Sequence, residues 1–161
     1  MSFSIPKRHH SKIGSHLDAT EDIFSLNKHA LGPGELAEKE WLDDGLAAPD
    51  MTKIREYRLK RVREKLVEFD CAGILLYDPV NIRYATDSTN MSLWTSHNAA
   101  RYSLIMTEGP VIIFEFDAHE FLSNHNPLIT EVRHALTYLY FTAGNKSKAK
   151  AKIWASEISD I

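Results

Sequence analysis

Cysteine is nearly absent from the 161-residue sequence, in which Cys71 is the only one. A single cysteine excludes an internal disulfide and a thiolate metal cluster, and its apolar surroundings predict a small core residue rather than a reactive thiol. Long apolar runs are also missing, and none approaches the ~20 residues that a bilayer span requires. Lys7 and Arg8 near the N-terminus are not followed by an apolar segment, so we predict no secretory signal and a cytoplasmic protein.

Charge and short motifs exclude further classes of protein. A net charge of −3 disfavours a nucleic-acid-binding protein by bulk charge. The sequence contains neither a glycine-rich phosphate loop nor a Gly-x-Ser-x-Gly nucleophile turn. A basic helix face over residues 51–69 could bind nucleic acid or could simply be solvated. We favour the solvated face because no aromatic residues alternate with the charges to stack on bases.

The most informative stretch is the polar segment 78–101, which lies between two apolar strand patterns at 73–77 and 102–106. Connections are usually about 4–6 residues long, and longer polar ones are often functional. Trp94 and His97 are three residues apart, so on a helical turn they share a face. There they could stack on a cationic or planar group and hydrogen-bond its edge. Alternatively, Trp94 belongs to the core and His97 caps a carbonyl.

Apolar periodicity predicts an α/β fold in which a mixed β-sheet is flanked by helices. Residues 1–49 are expected to form an extended arm with a short helix over 35–45, and residues 50–161 the folded domain. Asp50 is expected to cap a helix over 51–69, and a later helix over 146–158 is expected to turn Ala149, Ile153 and Trp154 inward. Strands are predicted over 72–77, 102–107, 111–116 and 136–141, and a short helix over 80–85 with Ile82 and Ala85 facing inward.

The run from Asp78 to Met91, DPVNIRYATDSTNM, followed by Leu93-Trp94 and His97-Asn98, resembles the N-terminal domain of the creatinase/prolidase (M24, "pita-bread") family. The likeness extends over about residues 40–161 and is nearest to Xaa-Pro peptidase-like proteins and to the dimethylsulfoniopropionate lyase branch. It implies a ribonuclease H-like layout for this domain. It also implies a homodimeric enzyme whose two divalent metal ions are held by two Asp, one His and two Glu of a C-terminal domain that is absent from this chain.

The resemblance implies that this domain helps to cover a substrate site without breaking bonds itself. On that basis we predict substrate-binding roles for Asp87, Asn90, Trp94 and His97, and no catalytic or metal-binding residues in this chain. Our first expectation for the parent protein is an Xaa-Pro dipeptidase- or aminopeptidase-like hydrolase. The alternatives are a dimethylsulfoniopropionate lyase, or a stand-alone binding or assembly module. The isolated chain is expected to be inactive.

Overall fold

A computed structural model describes residues 35–116 and 119–161 of the chain. The chain divides into two units between Pro49 and Asp50, and each is described by itself. In the first unit, helix α1 spans Glu35–Asp43, and the chain turns at Gly45, which has a φ of +74°. The remainder of the predicted N-terminal arm, residues 1–34, lies outside the described residues.

The second unit is an α/β domain, as the apolar pattern predicts. Its longer elements are helix α2 (Met51–Glu68), strand β1 (Gly73–Leu76), helix α3 (Pro79–Thr86), helix α4 (Ser92–His97), strands β2 (Tyr102–Met106), β3 (Val111–Glu115) and β4 (Glu131–His134), and helices α5 (Tyr140–Ala143) and α6 (Ser147–Ser159). Two short 3₁₀ helices, Glu120–Ser123 and Gly144–Lys146, complete it. None of the described helices is long and apolar enough to span a bilayer.

The four strands form one mixed sheet in the order β1-β2-β3-β4. The β1–β2 and β2–β3 pairs are antiparallel, whereas β4 runs parallel to β3. Side chains of a strand alternate between its two faces, so β1, β2 and β3 each contribute residues to two apolar layers. On one face Tyr102 and Phe114 pack with Trp154 of α6. On the other face Ile105 packs with Leu59 of α2 and with α3.

Helix α2 begins where the sequence predicts, and α3 begins one residue before its predicted start. The Asp50 carboxylate accepts a hydrogen bond from the backbone N–H of Lys53 at 3.1 Å, which caps α2, and Asp78 accepts one from Asn81 at 2.8 Å, which caps α3. Such caps satisfy N–H groups that have no partner inside the helix. Ile82 of α3 is 1% exposed, which confirms its predicted inward orientation.

The predicted fourth strand is wrong in position. The strand is Glu131–His134, whereas residues 136–141 lie beyond the sheet and end in α5. Tyr140 and Phe141 there are exposed, so their high β-propensity is not realised by any pairing. Because β4 is a half-exposed edge strand, its polar sequence carries no clear alternation for a pattern to detect.

Two predictions of buried residues are also wrong. Cys71 is exposed, because it follows the C-terminus of α2, where its Sγ donates to the Phe69 carbonyl at 3.5 Å. In α6 the inward face is rotated from the predicted one, since Ala149 and Ile153 are exposed. The predicted inward orientation of Trp154 is confirmed, and Ile158, four residues later, faces the sheet with it.

Candidate functional site: an aromatic surface above a buried ion pair

Within the polar segment, Asp87 follows the end of α3 and is held in a left-handed conformation with a φ of +51°. Such a conformation is uncommon for a residue other than glycine, and here it is held by contacts on both sides. Arg55 Nε of α2 donates to the Asp87 carboxylate at 2.8 Å, and His125 Nε2 donates to the Asp87 carbonyl at 2.9 Å. The Asp87 side chain is only 15% exposed, so its charge is used within the fold.

Asn90, the second predicted site residue, is buried, with 7% exposure. Its Nδ2 donates to Glu115 Oε1 of β3 at 2.9 Å. Its backbone carbonyl accepts from the hydroxyl of Thr95 in α4 at 3.4 Å. Asn90 therefore links the sheet to the start of α4.

Trp94 and His97 lie on α4, as their spacing predicts, and both are exposed. Trp94 is 40% exposed, and its ring lies 5.0 Å from that of Phe116, at an angle of 55°. Phe116 in turn lies 6.0 Å from the ring of His119, and His119 lies 6.3 Å from Phe121. We call these four residues, Trp94, Phe116, His119 and Phe121, the aromatic surface.

The His97 ring is held by groups of its own helix. Its Nδ1 lies 3.0 Å from the Leu93 carbonyl oxygen and 2.9 Å from Ser96 Oγ. A carbonyl only accepts hydrogen bonds, whereas a hydroxyl can donate or accept, so these two contacts are compatible with either tautomer of the ring.

Beneath α4 lies a buried polar cluster that the sequence analysis did not identify. The Arg101 guanidinium and the Glu115 carboxylate, 1% and 0% exposed, form an ion pair at 2.6 Å. Arg101 Nη2 also donates to Ser88 Oγ at 2.6 Å, and Ser88 Oγ is 2.8 Å from the hydroxyl of Ser123. The sequence does hint at this cluster, because Glu115 is the one charged residue in the otherwise apolar run 111–116. Buried charges are rarely left unpaired.

The described residues do not assemble a metal centre. Among them, no three His, Cys, Asp or Glu side chains lie close enough together to bind a metal ion. His125 and Asp87 approach each other, with His125 Nε2 3.8 Å from Asp87 Oδ2, but the third group beside them is the Arg55 guanidinium. A cation ligated there would meet this positive charge, so these two side chains do not suit a metal ion.

The fold and the site define an α/β domain that exposes an aromatic surface, backed by a buried ion pair. No family model matches the chain. Among curated proteins it is similar to the dimethylsulfoniopropionate lyase DddP of Roseovarius nubinhibens, with 42% identity over 135 residues, which are 84% of this chain and 30% of that protein. It is also similar to the protein of the same name from Roseobacter denitrificans, with 39% identity over 133 residues. The chain spans 30% of the length of these relatives.

Proposed function

We propose that this chain is the N-terminal, substrate-contacting part of a dimethylsulfoniopropionate lyase-type metalloenzyme. The observation that carries the proposal is the 42% and 39% identity, over 84% and 83% of the chain, to two proteins that bear this name. The resemblance by itself placed a peptidase-like parent first. The relatives favour the lyase alternative over it, since both are named as lyases and neither as a peptidase.

The chemistry of the named substrate fits the aromatic surface, of which Trp94 is exposed and Phe116 half-buried. Dimethylsulfoniopropionate carries a sulfonium cation at one end and a carboxylate at the other. The ring faces of Trp94 and Phe116 are electron-rich, and a cation over such a face gains about 0.5–2 kcal/mol. His97, three residues from Trp94, would hydrogen-bond the carboxylate end through its ring N–H.

The other two predicted substrate-binding residues, Asp87 and Asn90, are proposed to shape the polar segment instead of contacting the substrate. The Asp87 carboxylate is paired with Arg55, and the Asn90 amide with Glu115. Asp87 would fix the end of α3 through its pair with Arg55, and Asn90 would hold α4 in place. Two divalent metal ions, held by residues outside this chain, and a second subunit facing the aromatic surface are further parts of the proposal.

A chimeric enzyme tests the proposal directly. The segment of the Roseovarius nubinhibens lyase that aligns with this chain is replaced by the chain's own residues, and release of dimethyl sulfide is followed. We expect an active chimera. Trp94→Ala should raise KM about 3- to 30-fold, which corresponds to the cation–π energy, while Trp94→Phe should give a smaller increase.

Leu93→Ala is the matched control, because Leu93 lies next to Trp94 on α4 and is 81% exposed. It should leave the kinetics unchanged. A folded chimera without turnover, or a Trp94→Ala chimera with unaltered KM and kcat, would contradict the proposal. Turnover by the 161-residue chain alone, with divalent metal ions added, would contradict its non-catalytic role.

A further inference from the structure

The register of the sheet brings Arg101 and Glu115 together. In the antiparallel β2–β3 pair Tyr102 lies opposite Phe114, so the preceding residue, Arg101, falls opposite the following one, Glu115. Their side chains meet at 2.6 Å in a fully buried environment. Such a pair is costly to desolvate, and an apolar pair of similar volume is often as stable. What an ion pair adds is orientation, because a guanidinium and a carboxylate meet in a defined geometry.

The two oxygens of Glu115 serve different partners. Oε2 accepts from Arg101 Nε. Oε1 accepts from Asn90 Nδ2 at 2.9 Å and from the backbone N–H of Phe116 at 3.1 Å. One carboxylate oxygen therefore joins the polar segment to the end of β3, immediately beside an aromatic ring that packs against Trp94.

From Asn90 the connection continues into α4. The helix starts two residues later, and the backbone N–H of Thr95 donates to the Met91 carbonyl at 2.9 Å. The hydroxyl of Thr95, which is 4% exposed, lies within 3.4 Å of the Asn90 and Met91 carbonyls. The residue before Thr95 is Trp94. The position of Asn90 thus sets the position of the turn that carries the indole.

We propose that Glu115 is a positioning residue that sets the Trp94 ring against the Phe116 ring. It does so by holding Asn90 and the Phe116 backbone N–H on the same carboxylate oxygen, while Arg101 fixes the carboxylate from the other side. The significance of this geometry for a substrate rests on the proposed function, but the placement of the two rings does not.

Fluorine NMR of the full chain labelled with 5-fluorotryptophan tests the proposal without any activity. The chain has three tryptophans, and Trp94→Phe identifies the Trp94 signal. Asn90→Ala removes the link to Glu115 and leaves the Arg101 pair intact. We expect the Trp94 signal to shift and broaden, while the Trp154 signal, which reports on the packing of Tyr102 and Phe114, stays unchanged.

Exchanging the amide at position 90 with the carboxylate at position 115 provides a rescue experiment. Asn90→Asp places two carboxylates in contact and should displace the Trp94 signal. In Asn90→Asp combined with Glu115→Gln, the glutamine oxygen can accept from Arg101 and its amide can donate to the new carboxylate, while the Phe116 N–H loses its acceptor. The signal should therefore return part of the way towards that of the wild type. Glu131→Gln is the matched control, because it removes the carboxylate of an exposed ion pair with Arg133. It should leave the Trp94 signal in place.

The proposal is overturned if Asn90→Ala leaves the Trp94 signal unchanged, or if the double variant lies no closer to the wild type than Asn90→Asp. If Asn90→Ala loses the native Trp154 signal, Asn90→Ser is measured in its place. Asn90→Ser also breaks the hydrogen bond to Glu115, because the serine side chain is too short to reach the carboxylate. An unchanged Trp94 signal in Asn90→Ser would likewise overturn the proposal.

The chimeric lyase separates this proposal from the proposed function. There Asn90→Ala should raise KM about tenfold, the effect of losing one hydrogen bond to a charged group, with a smaller change in kcat. A displaced Trp94 signal with an unchanged KM supports the positioning role and contradicts the substrate-binding role of the aromatic surface.

Discussion

Replacing Glu115 with glutamine should destabilise the domain far more than its small change in size suggests. Arg101 remains buried and loses the carboxylate to which its Nε donates. The groups around Glu115, which are Arg101 Nε, Asn90 Nδ2 and the Phe116 N–H, are all donors. Whichever way the new amide is turned, its own N–H₂ group therefore faces at least one donor.

The expected loss can be worked out from the burial of the pair. Breaking a buried ion pair by removing one partner costs about 3–5 kcal/mol, out of a total of about 5–15 kcal/mol for a typical domain. With a urea dependence of about 2 kcal/mol per molar, the midpoint of unfolding should fall by roughly 2 M. Urea titration followed by circular dichroism at pH 7 measures this shift.

Glu131→Gln makes the same chemical change in an exposed ion pair, in which Arg133 Nε lies 2.7 Å from Glu131 Oε1. An exposed pair contributes about 0–1 kcal/mol, so this variant should unfold close to the wild type. If Glu115→Gln lost no more stability than Glu131→Gln, the reasoning from burial would be refuted. Combining Glu115→Gln with Arg101→Met should recover part of the loss, because the uncompensated charge is then removed.

Two further predictions concern the sheet and its pH dependence. Gly73→Ala should cost about 1–3 kcal/mol in the same titration, because a Cβ at Gly73 would lie 2.9 Å from the backbone carbonyl oxygen of Ile105; a variant as stable as the wild type would contradict that contact. Burial raises the pKa of Tyr102 from 10.0 to about 12. The folded state therefore holds this proton more tightly, and the stability it contributes is complete below pH 10 and lost as the pH rises from 10 to 12. Tyr102→Phe should flatten that decline in urea midpoints measured between pH 9 and 12, and an equally steep decline would contradict it.

Much of the fold follows from local patterns that survive in a single sequence. Asp50 and Asp78 cap helices where their side chains can reach the following N–H groups, and the apolar runs at 73–77, 102–106 and 111–116 contain β1, β2 and β3. The wrongly predicted fourth strand lies at the edge of the sheet. The strand Glu131–His134 is polar, and it forms because β3 offers it a parallel edge.

The candidate site divides in the same way. The spacing of Trp94 and His97 places both on one short helix, and this was predictable from the sequence. The partners of Asp87 and Asn90 were not, because they come from residues 32 and 25 positions away in the chain. Nothing in the local pattern of the polar segment indicates that two of its four predicted site residues point inward.

The sequence alone determined the caps, the helical and strand periods and the resemblance of the segment that begins at Asp78, because each of these depends on residues close together in the chain. Only the tertiary structure decided that Glu115 meets Arg101 and Asn90 beneath the exposed Trp94. The physical reason is that these contacts depend on the register of β2 against β3 and on the path of the connection 78–101, which brings Asn90 to Glu115. Both are set by packing of the whole domain rather than by any local preference.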